Sequence, residues 1–310
     1  MKPIDIIGDI HGCSQTLEKL LQLLGYSPDS AGCYRHPERS VAFLGDFIDR
    51  GPSQREVIAI VRPMIESGSA CSVMGNHEYN AIAYATEDEV NGGYLRSHSQ
   101  KNLNQHQVFL DAYADDPEAY QDVIDWFKTL PLWLDLGEVR IIHACWDWEM
   151  IEKIGTPVLT DALLHASCDK NLWQYEAIET ILKGKEIPLP DGAEFHDSDG
   201  NARKRIRVCW WDRTASTYAS AFLGPESARS HIPDDEIAGD HLIEYSRAEP
   251  PVFLGHYWMD GEAMPLADNI ACTDYSVARA GGKLVAYQWD GEPLLLKEKF
   301  VSMNRVEEAK

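Results

Sequence analysis

The chain has 310 residues, enough for one large α/β domain or two smaller ones, and its 44% hydrophobic and 25% charged content excludes a disordered chain. Fifty acidic against 28 basic residues give a formal charge of −22, a field that argues against duplex nucleic acid as a habitual partner but leaves small phosphorylated substrates open. No apolar run is long enough to span a bilayer, the first residues read as a strand rather than a secretion signal, and seven cysteines without a C-x-x-C pair read as reduced thiols, so a cytoplasmic protein with no membrane partner is expected.

Ile4 to Ile7 reads as a buried strand and ends in Gly8-Asp9-Ile10-His11-Gly12. Ser14 then stands as an N-cap before Leu17, Leu20, Leu21 and Leu24, an amphipathic helix closed by Gly25. Val41 to Leu44 restarts the sheet and ends in Gly45-Asp46-Phe47-Ile48-Asp49-Arg50-Gly51. Pro52 opens a helix with Val57, Val61, Met64 and Ile65 on one face, which Pro63 is expected to kink or shorten. A third run, Ser72 to Met74, ends in Gly75-Asn76-His77-Glu78. Residues 78–130 read as a helical insertion.

Pro131 to Leu136 and Val139 to Ile142 read as paired strands ending in His143. Asp161 to Lys183 looks helical, Ile187-Pro188-Leu189-Pro190 is a stiff connector, and Asp199-Gly200 marks a hairpin within Glu194 to Val208. Thr214 to Ser246 is polar and turn-prone. Val252 to Leu254 then ends in Gly255-His256, and the tail reads as a hairpin of Leu284–Trp289 with Leu294–Leu296 about Asp290-Gly291.

Five short apolar runs thus end in a glycine turn or directly in a residue that can bind a cation or move a proton. One Gly-Asp-x-His-Gly alone is more often a turn with a solvated histidine, but a turn has no reason to recruit His or Asn at every end. In open α/β sheets the carboxyl ends of strands border the ligand crevice, so these ends are expected to meet there. Asp46 is the natural carboxylate to bridge two cations, with Asp9 and His11 completing one site and Asn76, His143 and His256 the other. Imidazole, carboxylate and amide oxygen together suit two divalent ions, Mn2+ foremost, with Fe, Zn, Co or Ni as alternatives.

The ordered set, from Gly8-Asp9-Ile10-His11-Gly12 to His256, resembles the calcineurin-like metallophosphoesterases. Its Asp-Arg-Gly and Asn-His-Glu endings resemble the phosphoprotein phosphatase branch, which includes protein Ser/Thr phosphatases and bacterial diadenosine tetraphosphatases. The resemblance implies a four-layer α/β fold, two mixed β-sheets as a sandwich flanked by helices. It implies one domain over 1–310, with insertions at 78–130 and 191–250. It also implies that a metal-bridging hydroxide attacks phosphorus in line, that His77 is the general acid oriented by Asp49, and that Arg50 grips the phosphate.

A second phosphate-binding arginine is expected between the fourth and fifth motifs, where Arg207 and Arg213 flank Trp210-Trp211-Asp212 and spacing does not choose between them. The fifth motif reads Gly255-His256-Tyr257-Trp258, without the second histidine of many relatives. Phosphomonoesters, including phosphoproteins and phosphopeptides, are the first expected substrates and dinucleoside polyphosphates the alternative. The rival outside the enzyme class is a catalytically silent metal-bound scaffold. Trp146, Trp148 and Trp258 could stack a base but more often pack a core, and Cys13 and Cys145 read as small core residues. His36, His98, His106, His165, His196, His231 and His241 read as surface or helix residues, and Asp197, Asp199 and Asn201 do not form a calcium loop.

Overall fold

The computed structural model describes residues 2–196, 202–224, 226–239 and 241–307. β1 (Ile4–Ile7) splits its side chains between two cores, Ile4 and Ile6 facing one and Ile7 the other. α1 (Ser14–Leu23) buries Leu17, Leu20 and Leu21 and stops before Gly25, whose φ of 89° is the left-handed conformation a helix end favours. Its N-cap is Cys13, without a side-chain cap, so Ser14 is the first helical residue instead.

A small ribbon, β2 (Ser27–Pro28) with β3 (Tyr34–Arg35), precedes β4 (Ser40–Phe43) and α2 (Gln54–Glu66). Pro63 does not cut α2 short, because so close to the end it frees little of the hydrogen-bond ladder. β5 (Ala70–Ser72) lies two residues earlier than expected. Val73 still donates to the carbonyl of Phe43 in β4, and it is Met74 that turns its N–H to the carbonyl of Pro131.

The third motif is itself the start of α3 (Asn76–Ala85), so the helical region grows out of the motif and continues through α4 (Gln100–Ala112) and α5 (Pro117–Phe127). β6 (Trp133–Asp135) and β7 (Arg140–Ile142) pair antiparallel as expected, and α6 (Trp148–Ile154) follows. The expected helix at 161–183 is two, α7 (Asp161–Cys168) and α8 (Trp173–Lys183).

The stiff connector is instead a strand, β8 (Glu186–Pro188). β9 (Phe195–His196) pairs with β10 (Ala202–Arg203), and β11 (Arg205–Arg207) pairs with β8. The Asp199-Gly200 turn, with Asp197 and Asn201, lies outside the described residues. After the short helices α9 (Tyr218–Ala221) and α10 (Glu226–Arg229) come β12 (Val252–Leu254), β13 (Ile270–Cys272), β14 (Asp274–Tyr275), β15 (Lys283–Trp289) and β16 (Phe300–Asn304). β15 pairs with β16 rather than with residues 294–296, because Leu295 leaves the hairpin plane for the core while Leu294 and Leu296 stay exposed.

Two mixed sheets result. One runs β14-β15-β1-β4-β5 with β16 against β15, and the other runs β13-β12-β7-β6. They pack face to face through Ile6, Ala42 and Leu44 of the first and Ile141, Phe253 and Ala271 of the second. Ile7 and Phe43 on the opposite face of the first sheet pack in the same core as Leu17 and Leu20 of α1 and Val57 and Val61 of α2. Ile142 and Leu254 of the second sheet share that helix-covered core with Ile178 and Ile181 of α8. The sandwich flanked by helices is therefore present. Since β1, β4 and β5 run parallel, as do β7 and β12, their carboxyl ends open at the same rim. A smaller apolar cluster forms under β8 to β11 from Ile187, Phe195, Ile206 and Val208. Among the described residues no helix is long and apolar enough to cross a membrane.

Candidate metal centre and active site

The strand-end loops approach closely because glycine lets them. A Cβ on Gly75 would lie 2.3 Å from the backbone nitrogen of Asp46, and one on Gly255 would lie 2.1 Å from Asp9 Oδ1. The residues these turns present carry strain of their own: His11, Asp46, Asp49, Arg50 and His256 all have positive φ, between 45° and 69°.

Glu78 offsets that strain. Fully buried on α3, its carboxylate accepts N–H groups from Phe47 at 2.8 Å, Asp46 at 2.8 Å and Gly75 at 3.0 Å, clamping the second motif to the third. Burial, then the charge of Asp46, pushes its carboxyl up to about 7. Glu78→Ala would strand three buried donors at about 1–3 kcal/mol each. The variant is expected to lose about 3 kcal/mol or more of stability, read as a lower midpoint in urea; an unchanged midpoint would show that the clamp contributes nothing.

Asp46 Oδ2 is the centre of the cluster. It lies 3.6 Å from His11 Nε2, 3.5 Å from His143 Nε2 and 4.0 Å from His77 Nε2, while Oδ1 accepts the His77 N–H at 2.9 Å. Burial disfavours its charge, but His143, His77 and His11 more than offset this and hold the carboxyl well below the usual range. Asn76 Oδ1 sits 3.2 Å from His143 Nε2 and 2.6 Å from His256 Nδ1. Asp9 Oδ2 accepts the backbone N–H of His256 at 3.0 Å, tying the first motif to the fifth. Burial, with Asp274 and Asp46 nearby, raises the Asp9 carboxyl well above its ordinary value.

The ring orientations are set from behind. His11 Nδ1 bonds the carbonyl of Ile48 at 2.9 Å and His143 Nδ1 that of Leu44 at 2.6 Å, so in each ring Nε2 is left as the lone pair facing the cluster. Burial lowers His11 to about 3, and burial, with Arg207 and His143 nearby, drives His256 well below its ordinary value. Asp9 Oδ1, His11 Nε2 and His256 Nε2 are buried without a hydrogen-bond partner, a cost of about 1–3 kcal/mol per group unless something else engages them. Two sets of ligand atoms, from His11, Asp46 and His77 and from Asp46, His143 and His256, each lie within 4.8 Å of one another. Orphaned lone pairs around a shared carboxylate fit divalent cations.

Beside the cluster, His77 Nδ1 meets Asp49 Oδ2 at 2.5 Å and its Nε2 lies 3.4 Å from Arg50 Nη2. Burial opposes the imidazolium, yet Asp46 and Asp49 outweigh it and raise His77. Asp49 is itself fixed twice more: its N–H donates to Gln54 Oε1 at 2.7 Å, and its Oδ1 meets His106 Nδ1 at 2.9 Å. His106, expected at the surface or on a helix, is helical but buried. His241, which lies on no helix, is also buried, with Nε2 on the carbonyl of Ala215. His106 had a signal: it falls in phase with Leu103 and Phe109 on the inner face of α4.

The two candidate arginines diverge. Arg207 at the end of β11 has a buried Nε without a partner and imposes its charge on His256, whereas Arg213 donates to the carbonyl of Tyr245 at 3.4 Å. The tryptophans diverge as well. Trp146 is buried, and the guanidinium of Arg140 stands over both Trp146 and Trp148, away from the motifs, while half-buried Trp258 carries Arg50 at 3.7 Å from its ring centroid. Cys13 and Cys145 are buried and in no disulfide, as expected of small core residues.

Residues 2–239 match the family model described as calcineurin-like phosphoesterase. The chain is 45% identical over 142 residues to an asymmetrical bis(5'-nucleosyl)-tetraphosphatase of Oceanobacillus iheyensis, covering 46% of this chain and 54% of that protein. It is 24% identical over 315 residues to a symmetrical bis(5'-nucleosyl)-tetraphosphatase of Vibrio parahaemolyticus, covering 94% of this chain and 97% of that one. The chain thus spans about half the length of the asymmetrical relatives and nearly all of the symmetrical one. A protein serine/threonine phosphatase from Saccharomyces cerevisiae shares the fold at a TM-score of 0.52 and 13% identity, covering 99% of this chain and 81% of that one.

Proposed function

The chain belongs to the calcineurin-like phosphoesterases, and from that premise we propose that it is a divalent-metal-dependent phosphohydrolase that cleaves a phosphoanhydride bond of dinucleoside polyphosphates. The observation that carries the hydrolytic part is the placement of Asp46 Oδ2 within 4.0 Å of three imidazole nitrogens, beside a His77–Asp49 pair and the guanidinium of Arg50. Asp9, His11 and Asp46 would hold one cation and Asp46, Asn76, His143 and His256 the other, with Mn2+ the first choice. Two such ions supply Lewis-acid charge for phosphate oxygens and lower the pKa of solvent in the cleft.

The protein's own residues do the rest. Arg50 presents a planar fork of donors to the non-bridging phosphate oxygens, with Arg207 as second clamp on the His256 side. His77, held by Asp49 through Nδ1, hands its Nε2 proton to the leaving oxygen. His106 and Gln54 keep Asp49 in place. We read the chain as one catalytic domain acting in the cytoplasm, with its cysteines reduced; none of the seven is in a disulfide.

The substrate class rests on relatives named for bis(5'-nucleosyl)-tetraphosphates, along half of the chain at 45% identity and nearly all of it at 24%. The phosphomonoester reading draws on the phosphatase fold. A panel with Mn2+ separates them: diadenosine tetraphosphate is expected to exceed p-nitrophenyl phosphate and phosphopeptides in kcat/KM by at least tenfold. The reverse order would move the enzyme to the phosphomonoesterases, and silence on all three would revive the scaffold.

A further inference from the structure

Trp258 has a bulky side chain in a backbone conformation that such residues rarely adopt, φ 53°, two residues past His256. A buried carboxylate holds it there. Asp274 Oδ2 accepts the N–H of Trp258 at 2.7 Å and Oδ1 accepts that of Ser276 at 2.9 Å, and Ser276 is likewise left-handed at φ 59°. From Ser276 the chain makes a tight turn. Arg279 N–H bonds the carbonyl of Ser276, Gly282 N–H that of Arg279, and a Cβ on Gly282 would lie 1.9 Å from the Ser276 oxygen. One aspartate therefore fixes both the loop that carries Trp258 and the turn that carries Arg279.

The consequence is that two guanidinium groups share one indole: Arg50 at 3.7 Å and Arg279 at 4.1 Å from the ring centroid. Neither has a carboxylate within ion-pair distance among the described residues, in a chain where Arg35, Arg39, Arg62, Arg140 and Arg247 each have one. Arg50 feels the charge of Asp46, Asp274, Asp9 and Asp49 without an ion pair to any of them, whereas exposed Arg279, stacked on the same indole, keeps its guanidinium for an anion from solution. The indole, already stacked by cations, is not a free platform for a base. Arg50 reaches His77 and so serves the phosphate under attack, while exposed Arg279 touches the cluster only through Trp258.

We propose that Arg279, together with Arg50 across Trp258, binds the neighbouring phosphate of a polyphosphate chain, so that the site selects substrates with more than one phosphate. This deepens the dinucleoside polyphosphate reading and rests on it for the natural substrate, but not for the chemistry of the ligand.

The test uses p-nitrophenyl phosphate turnover at fixed, buffered free Mn2+, with inorganic tripolyphosphate and orthophosphate as competing inhibitors, on wild type, Arg279→Ala and Arg279→Lys. Calorimetric binding of tripolyphosphate to the chelator-treated proteins gives a readout independent of turnover. Arg279→Ala is expected to weaken tripolyphosphate about tenfold in both measurements and orthophosphate less than twofold, with Arg279→Lys between, since a charge-assisted contact is worth about a factor of ten or more. Equal weakening of both anions, or of neither, overturns the subsite. If wild type ignores diadenosine tetraphosphate while Arg279→Ala still loses tripolyphosphate selectively, the substrate proposal fails and the subsite stands.

Discussion

Replacing Asp46 with Asn is expected to lower turnover about a thousandfold and to leave the purified protein with less bound divalent metal than wild type. Asn is nearly isosteric, so the His77 N–H can still find an amide oxygen where Oδ1 stood, and the fold should survive. What disappears is the one carboxylate oxygen within reach of His11, His77 and His143 together. Burial already opposes charge at that position while the surrounding imidazoles and the His77 N–H favour it, so a neutral side chain leaves both candidate cation positions without their shared anion.

A thousandfold corresponds to about 4 kcal/mol of barrier, of the order that a bound cation contributes to transition-state charge. The same variant separates metal from fold. Mn2+ at a hundred times its dissociation constant should stabilise chelator-treated wild type by about 2.7 kcal/mol, seen as a rise in melting temperature, and Asp46→Asn should lose most of that rise while melting without metal near the wild-type value. Metal content and turnover both at wild-type levels would show that the cluster is only a polar core.

Much of this site is legible in the sequence because each proposed ligand follows a short apolar run, and such runs are strands whose ends must lie at one rim when the strands are parallel. Ile4–Ile7, Ser40–Phe43 and Val252–Leu254 are buried throughout or nearly so and carry their glycine turns within reach of each other. What stays hidden is whatever tertiary distance alone decides. Arg207 and Arg213 have similar neighbours in sequence, yet one faces His256 and the other a backbone carbonyl. His106 sits in an apolar phase where any buried residue would look the same, and nothing local says that Asp49 waits opposite it. Arg279 lies beyond every motif, in a turn whose position is fixed by Asp274. The mispaired tail has the same cause: Asp290-Gly291 favours a hairpin with the next residues, but burying Leu295 between the sheets is worth more than closing it.

His77→Asn should separate proton transfer from metal binding, because the two functions fall on different atoms of neighbouring residues. Asn76 sits with His143 and His256, whereas His77 turns its Nδ1 to Asp49 and leaves Nε2 beside Arg50. Asp46 and Asp49 raise the imidazole against the pull of burial, which keeps a proton available for a leaving oxygen. Losing that proton donor is expected to cost about a hundredfold to ten-thousandfold in kcat, with metal content and the Mn2+ stabilisation kept. The size of the loss should follow the leaving group. Nitrophenolate departs without much help, so the deficit should be smallest for p-nitrophenyl phosphate and at least tenfold larger for an alkyl phosphate that leaves as a strongly basic alkoxide. A uniform deficit across both would make His77 a positioning residue, acting through the ring contacts it makes with Asp49 and Arg50; no deficit at all would remove it from the reaction.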